Sequence, residues 1–223
     1  MKLLCVFIVF VLAFLIGQIA ILRIYFFSFR RRLFDPVDSR KVHLGLIPRL
    51  GGMAFLPTQC GMFMLSVAII HYFGIIEIEY GFLVRFLLLL CGLGLLFVVG
   101  VIDDLIGINY RWKFISQIIA VSTFPVSGLW INHLGGLCGI TFLPPVAGIP
   151  LTMVLGIFII NAYNLIDGID GLCSGLSILA CVVLGTLFFI RDSWLYVFFC
   201  FITVGVLSPF FYYNVFGKSR RQR

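Results

Sequence analysis

Charge is what this sequence lacks. Only 11% of its 223 residues are charged, 62% are hydrophobic, and there are 9 acidic residues and 3 histidines. With a mean hydropathy of +1.17, this excludes a soluble domain of the same length, which needs far more charge to cover its surface. The 7 cysteines (Cys5, Cys60, Cys91, Cys138, Cys173, Cys181 and Cys200) contain no C-x-x-C pair, so neither a zinc site nor a disulfide framework is indicated. No fixed-period repeat, low-complexity tract or polar second domain is present. What remains is a series of apolar runs near the ~18–20 residues that span a bilayer as helix.

These runs predict spans at about 3–27, 53–73, 82–102, 114–129, 149–163, 172–190 and 194–212. The first exceeds the roughly 7–15 residues of a signal h-region and is followed by Arg30, Arg31 and Arg32, so it reads as a retained helix. The Gly- and Pro-rich stretch 129–148 reads as an external turn or hairpin. Basic residues set the orientation. With the N-terminus outside, twelve fall inside: Arg30, Arg31, Arg32, Arg40, Lys41, Arg49, Arg111, Lys113, Lys218, Arg220, Arg221 and Arg223. Three (Lys2, Arg85, Arg191) fall outside and Arg23 sits at the inner end of the first span, which accounts for all 16. The expected fold is therefore all-α: a polytopic membrane helix bundle of about seven transmembrane helices, N-terminus outside and C-terminus inside. Residues 1–223 form one integral membrane domain with a basic cytoplasmic tail at 217–223. The net charge of +7 lies beside helix ends, so no nucleic-acid partner is expected.

Three polar constellations fall on the inner side. Asp103 and Asp104 close an apolar run, where two adjacent carboxylates repel each other and meet the negative end of the helix dipole. A divalent metal or a nearby lysine relieves both problems. Arg111 and Lys113 lie close in sequence. In Asn161-Ala-Tyr-Asn164-Leu-Ile-Asp167-Gly168-Ile-Asp170-Gly171, a polar group recurs every third residue and lines one side of an unwinding helix end. Its oxygen donors suit Mg²⁺, which keeps waters and shares substrate phosphates. The glycines allow close approach of a ligand, and the dipole of the following helix favours phosphate. Arg40-Lys-Val-His43-Leu-Gly-Leu-Ile-Pro-Arg49-Leu-Gly51-Gly52 supplies basic groups entering the second span. Carboxylates that hold a metal and cations that neutralise phosphate oxygens fit metal-assisted phosphoryl transfer.

With these residues in place, the chain resembles the polyprenyl-phosphate N-acetylhexosamine-1-phosphate transferases. The segment 41–52 resembles the first family signature, Asp103-Asp104 with Lys113 the second, and 161–172 the third and most specific. The resemblance implies transfer of N-acetylhexosamine-1-phosphate, with GlcNAc the favoured sugar, from a UDP-sugar to polyprenyl phosphate, releasing UMP. That step initiates cell-envelope polysaccharide synthesis on the cytoplasmic face of a bacterial inner membrane. It further implies Asp103, Asp104, Asp167 and Asp170 as catalytic residues, and His43, Arg49, Lys113 and Asn161 as substrate-binding ones. Asn164 and Asp167 would be metal ligands for Mg²⁺, with Mn²⁺ the alternative. The partners are the polyprenyl phosphate lipid, UDP-N-acetylhexosamine and the membrane, and a homodimer is compatible. A phosphomonoester has a second pKa near 6, so its attack needs no strong base. Positioning and charge neutralisation are then the main catalytic terms.

The family continues after a segment resembling 210–217 into a Gly-Asp-x-Gly-Ser motif and a His-rich cytoplasmic loop, which implies a C-terminally truncated member. An inactive relic of that family is the alternative reading, and a membrane transporter ranks below it. A transporter predicts ionisable residues in mid-span, whereas Arg85 lies near an outer end. CDP-alcohol phosphotransferases need an Ala-Arg pair soon after Asp-Gly, and here Ile169 and Asp170 follow Gly168.

Overall fold

The computed structural model of the protein describes residues 1–31 and 51–216. Among them the chain is helical, with seven α-helices: α1 (Lys2–Arg31), α2 (Phe55–Tyr72), α3 (Tyr80–Ile106), α4 (Tyr110–Val126), α5 (Pro145–Ile166), α6 (Leu172–Ile190) and α7 (Trp194–Phe216). Six are long and apolar enough to cross a membrane; α4 has 17 residues and falls short of that length. At 1.5 Å per residue it extends about 25 Å, against a hydrocarbon core of about 30 Å. Large apolar side chains face outward along the helices, among them Phe7, Leu15, Leu87, Phe158 and Leu179. In water such exposure would be untenable; in lipid it is the expected surface. The protein is a polytopic membrane helix bundle.

Several element limits differ from those read in the sequence by up to four residues, and those of α5 bear on the site. Helix α5 begins at Pro145 rather than near residue 149, because proline at a first helical position forgoes only an N–H that has no helical partner. It also runs on to Ile166, so Asn161 and Asn164 stand on regular helix, and unwinding begins at Asp167. The connection before α5 is shorter than expected and carries a single antiparallel bridge, His133 to Phe142. It is anchored to the helix where Ile131 N–H donates to Thr152 Oγ1 (2.9 Å). Trp130 lies over Gly148, where a Cβ would come within 2.5 Å of the indole.

The described residues divide into two compact units. Residues 1–31, 51–77 and 169–216 belong to the first, and residues 78–168 to the second. The first is organised around α7, which packs against α1, α2 and α6. Small residues permit the contacts: a Cβ on Gly205 would lie 2.7 Å from the Phe10 carbonyl oxygen, and one on Gly17 would lie 3.1 Å from Val206 Cα. The spaced pair Gly171 and Gly175 receives the ring of Phe211 in the same way. Gly171 also sits at φ +73, a conformation that a β-carbon strains. In the second unit, α4 lies between α3 and α5 in contact order. Gly92 of α3 lies against Ala120 and Thr123, and Gly156 of α5 lies against Val121. Both contacts occur about three turns from the start of α4 at Tyr110.

Gly205→Ala forces a methyl into the Phe10 backbone and is expected to cost roughly 1–3 kcal/mol, the usual penalty of overpacking. Gly94→Ala, with nothing within 4 Å of the added carbon, is expected to cost nothing. Thermal unfolding of the two variants in detergent checks the contrast.

Candidate functional site

The polar groups of the second unit collect where α3 ends, α4 begins and α5 ends. Helix α3 closes at Gly107, whose φ of +74 turns the chain while its N–H donates to the Asp103 carbonyl (2.9 Å). Three residues later α4 starts, with Asn109 as N-cap accepting from the Arg111 N–H (3.1 Å). This tight connection folds Asp103 onto the start of α4. Its Oδ1 accepts from the Ile108 N–H at 2.9 Å, and its Oδ2 is ion-paired with Lys113 Nζ. A carboxylate in the last turn of a helix, opposed by the dipole, is thus held by one backbone donor and one cation. Lys113 thus supplies to Asp103 the cation that the sequence called for. Both groups keep partial access to solvent, 38% for Lys113 and 26% for Asp103, so a phosphate or cation can reach either.

One turn further along α4, Gln117 faces Asn161 of α5. The two amides bond reciprocally: Asn161 Nδ2 donates to Gln117 Oε1 (2.9 Å) and Gln117 Nε2 donates to Asn161 Oδ1 (3.3 Å). Asn161 Nδ2 also donates to the Ile157 carbonyl (2.8 Å). Asp103, Lys113, Gln117, Asn161 and Asn164 line one cavity of about 400 Å³, closed at its side by Leu96, Val99, Phe114 and Ile160. This is the size of a small-ligand site, apolar with a few convergent polar groups. A slightly larger groove of about 480 Å³ in the first unit is lined by apolar side chains and Thr186. It offers nothing to grip a phosphate, so the smaller, polar cavity is the candidate site.

The remaining sequence-predicted residues lie as follows. Asp104 is exposed in the last turn of α3, next to Asp103 but about 100° around the helix; it does not line the cavity. Asp167 is exposed at the C-cap of α5, its N–H bonded to the Tyr163 carbonyl (3.1 Å), one helical step beyond Asn164. Asp170 is exposed in the turn before α6 and belongs to the first unit, so the motif 161–171 crosses the division between units at Gly168 and Ile169. His43 and Arg49 lie outside the described residues. Gln117 was missed in the sequence. The only signal for it is an amide four residues after Lys113, beside Ser116 in the otherwise apolar run Phe114–Val121.

Among the described residues no three His, Cys, Asp or Glu side chains stand together as a metal cage. The donors at the end of α5 are oxygens, an amide at Asn164 and a carboxylate at Asp167. Such a set fits Mg²⁺, which is held by one or two protein groups and completes its shell with water and substrate phosphate.

The class of protein so defined is a multi-pass membrane protein with a polar cavity at the ends of its helices. Residues 86–219 match the model of glycosyl transferase family 4, and the chain belongs to that family. It is 30% identical over 203 residues to the undecaprenyl-phosphate alpha-N-acetylglucosaminyl 1-phosphate transferase of Yersinia pestis, covering 86% of this chain and 49% of that one. The same-named protein of Escherichia coli K12 is 29% identical over 194 residues, with the same coverage. The decaprenyl-phosphate N-acetylglucosaminephosphotransferase of Mycolicibacterium smegmatis is 32% identical over 153 residues, 66% of this chain and 36% of that one. The chain spans about half the length of the curated relatives it matches most fully.

Removing the Asp103 carboxylate deprives the Ile108 N–H of a charged acceptor. Asp103→Ala is expected to speed hydrogen exchange of the Ile108 amide roughly tenfold or more, since hydrogen bonds to charged groups contribute about 1.5–3 kcal/mol. Asp104→Ala is expected to leave that rate within about twofold.

Proposed function

We propose that the protein transfers N-acetylhexosamine-1-phosphate from a UDP-sugar to polyprenyl phosphate at the cytoplasmic face of a bacterial inner membrane, the first step of a cell-envelope polysaccharide. The favoured sugar is GlcNAc. The observation that carries this reading is the cavity in which Asp103, Lys113, Asn161 and Asn164 meet, in a chain of glycosyl transferase family 4. The names of its relatives supply the chemistry: an undecaprenyl- or decaprenyl-phosphate acceptor and an N-acetylglucosamine 1-phosphate group. Family membership supplies the UDP-linked donor.

In this reaction an oxygen of the lipid phosphate attacks the sugar-bearing phosphorus of the nucleotide diphosphate. One P–O bond forms, the P–O bond to UMP breaks, and UMP leaves with the electron pair. The lipid phosphate is already largely dianionic at pH 7, so the residues act mainly by positioning. Lys113, held by Asp103, places a cation against the phosphates. Asp104, exposed beside it, faces the incoming lipid phosphate, and Asn161 faces the sugar nucleotide. Asn164 and Asp167 would hold Mg²⁺, or Mn²⁺ in its place, with Asp170 supporting them. When bound, the ion would neutralise phosphate charge as the leaving group departs. His43 and Arg49 would add contacts to the donor. The apolar walls limit water, which would otherwise compete as nucleophile. The bias of basic residues toward the inner loops in the sequence supports a cytoplasmic position for this cavity, with the N-terminus outside.

Membranes carrying the protein, supplied with UDP-GlcNAc, undecaprenyl phosphate and Mg²⁺, are expected to form lipid-linked sugar phosphate and UMP in equal amounts. Asp167→Asn and Lys113→Ala are each expected to lower the rate at least roughly a hundredfold, the usual order for a lost charge at a phosphoryl-transfer site. Chelation of the metal is expected to stop the reaction and added Mg²⁺ to restore it. Product formed undiminished by Lys113→Ala, or no product from the unaltered protein, would count against the proposal.

A further inference from the structure

Gln117 and Asn161 offer four donor hydrogens and two acceptor oxygens between them, and the structure fixes how most of these are spent. A backbone carbonyl accepts and never donates. The Asn161 atom 2.8 Å from the Ile157 oxygen is therefore the NH₂ nitrogen, which settles the orientation of that amide. Its second hydrogen goes to Gln117 Oε1 at 2.9 Å, so the Gln117 oxygen is oriented as well. Gln117 Nε2 then donates to Asn161 Oδ1 at 3.3 Å. Both Asn161 hydrogens are consumed, and one lone pair on Oδ1 is left.

We infer that Gln117 is a positioning residue that makes Asn161 an acceptor-only group in the cavity. Held this way, Asn161 receives an N–H or O–H from the donor substrate and cannot donate to a phosphate oxygen. Phosphate contact falls to Lys113, on the same face of α4 one turn earlier. The cavity is thus divided between a cationic end for the diphosphate and an amide end that reads hydrogen donors on the sugar or base. Without Gln117, Asn161 loses a partner on each side of its amide and is free to rotate. This inference rests on the proposed transferase reading for its ligand, while the orientation of the amide stands on the geometry alone.

The experiment has two readouts. In membranes supplied with UDP-GlcNAc and undecaprenyl phosphate, Gln117→Met is expected to lower kcat/KM for the sugar nucleotide roughly tenfold, the order set by losing two hydrogen bonds of about 0.5–1.5 kcal/mol each. In an Asn161→Ala background the same change is expected to cost less than about twofold, because the group it acts through is gone. Gln117→Glu keeps the length but faces Asn161 Oδ1 with a second acceptor, so it should lose as much as Gln117→Met. Independent, additive losses would overturn the inference. Side-chain amide exchange, followed on asparagine-labelled protein in detergent without substrate, provides the second readout. Gln117→Met is expected to speed exchange of the Asn161 amide roughly tenfold, and an unchanged rate would overturn the positioning role. Should the unaltered protein form no product, the transferase reading fails, and the exchange rates still decide whether Gln117 orients Asn161.

Discussion

The ion pair between Asp103 and Lys113 is the contact on which the rest of the polar cavity depends. A carboxylate at the end of an apolar helix is opposed by the dipole and, near lipid, by the cost of removing charge from water. Lys113 answers that cost, and the Ile108 N–H shares it. Because Asp103 belongs to α3 and Lys113 to α4, the same contact that satisfies a charge also sets the start of α4 against the end of α3. Gln117, one turn on, then meets Asn161, and α5 is registered against α4 by a second polar contact. The apolar faces behind these pairs approach closely because Gly92 and Gly156 leave room for Thr123 and Val121. Packing and polarity thus fix the same register twice.

A cavity built this way is matched to the charge that the proposed substrates carry. Phosphate groups bring two or more negative charges, and the cavity supplies one cation whose partner, Asp103, keeps it in place without neutralising it beyond reach of solvent. The oxygen donors at Asn164 and Asp167 lie at the solvent end of α5, suited to a hydrated divalent ion. The membership of the chain in glycosyl transferase family 4 and this donor set both support the proposed phosphoryl transfer.

Much of this was legible in the sequence, for physical reasons. The apolar runs gave α6 to the residue and α3 to within a few, because lipid requires continuous apolar helix. Asp103 and Asp104 stood out because charge is so scarce, and Lys113 was within reach as the compensating cation. The polar row Asn161, Asn164, Asp167 followed from its spacing of three. Other features were hidden. Proline at the head of α5 reads as a turn until it is seen at a first helical position. Gln117 has no periodic partner in its own helix, and its partner Asn161 is 44 residues away. The division of the motif 161–171 between two compact units depends on contacts that no local pattern records. Only six of the seven expected spans reach membrane-crossing length, since α4 ends at Val126, just past Pro125.

The most direct test of the account is a structure of the protein determined in lipid nanodiscs with UDP and Mn²⁺. Density for the diphosphate against Lys113, with the anomalous manganese signal beside Asn164 and Asp167, is the predicted result. A nucleotide bound away from the α3–α4–α5 cavity, with Asp103 and Lys113 still paired and untouched, would contradict it.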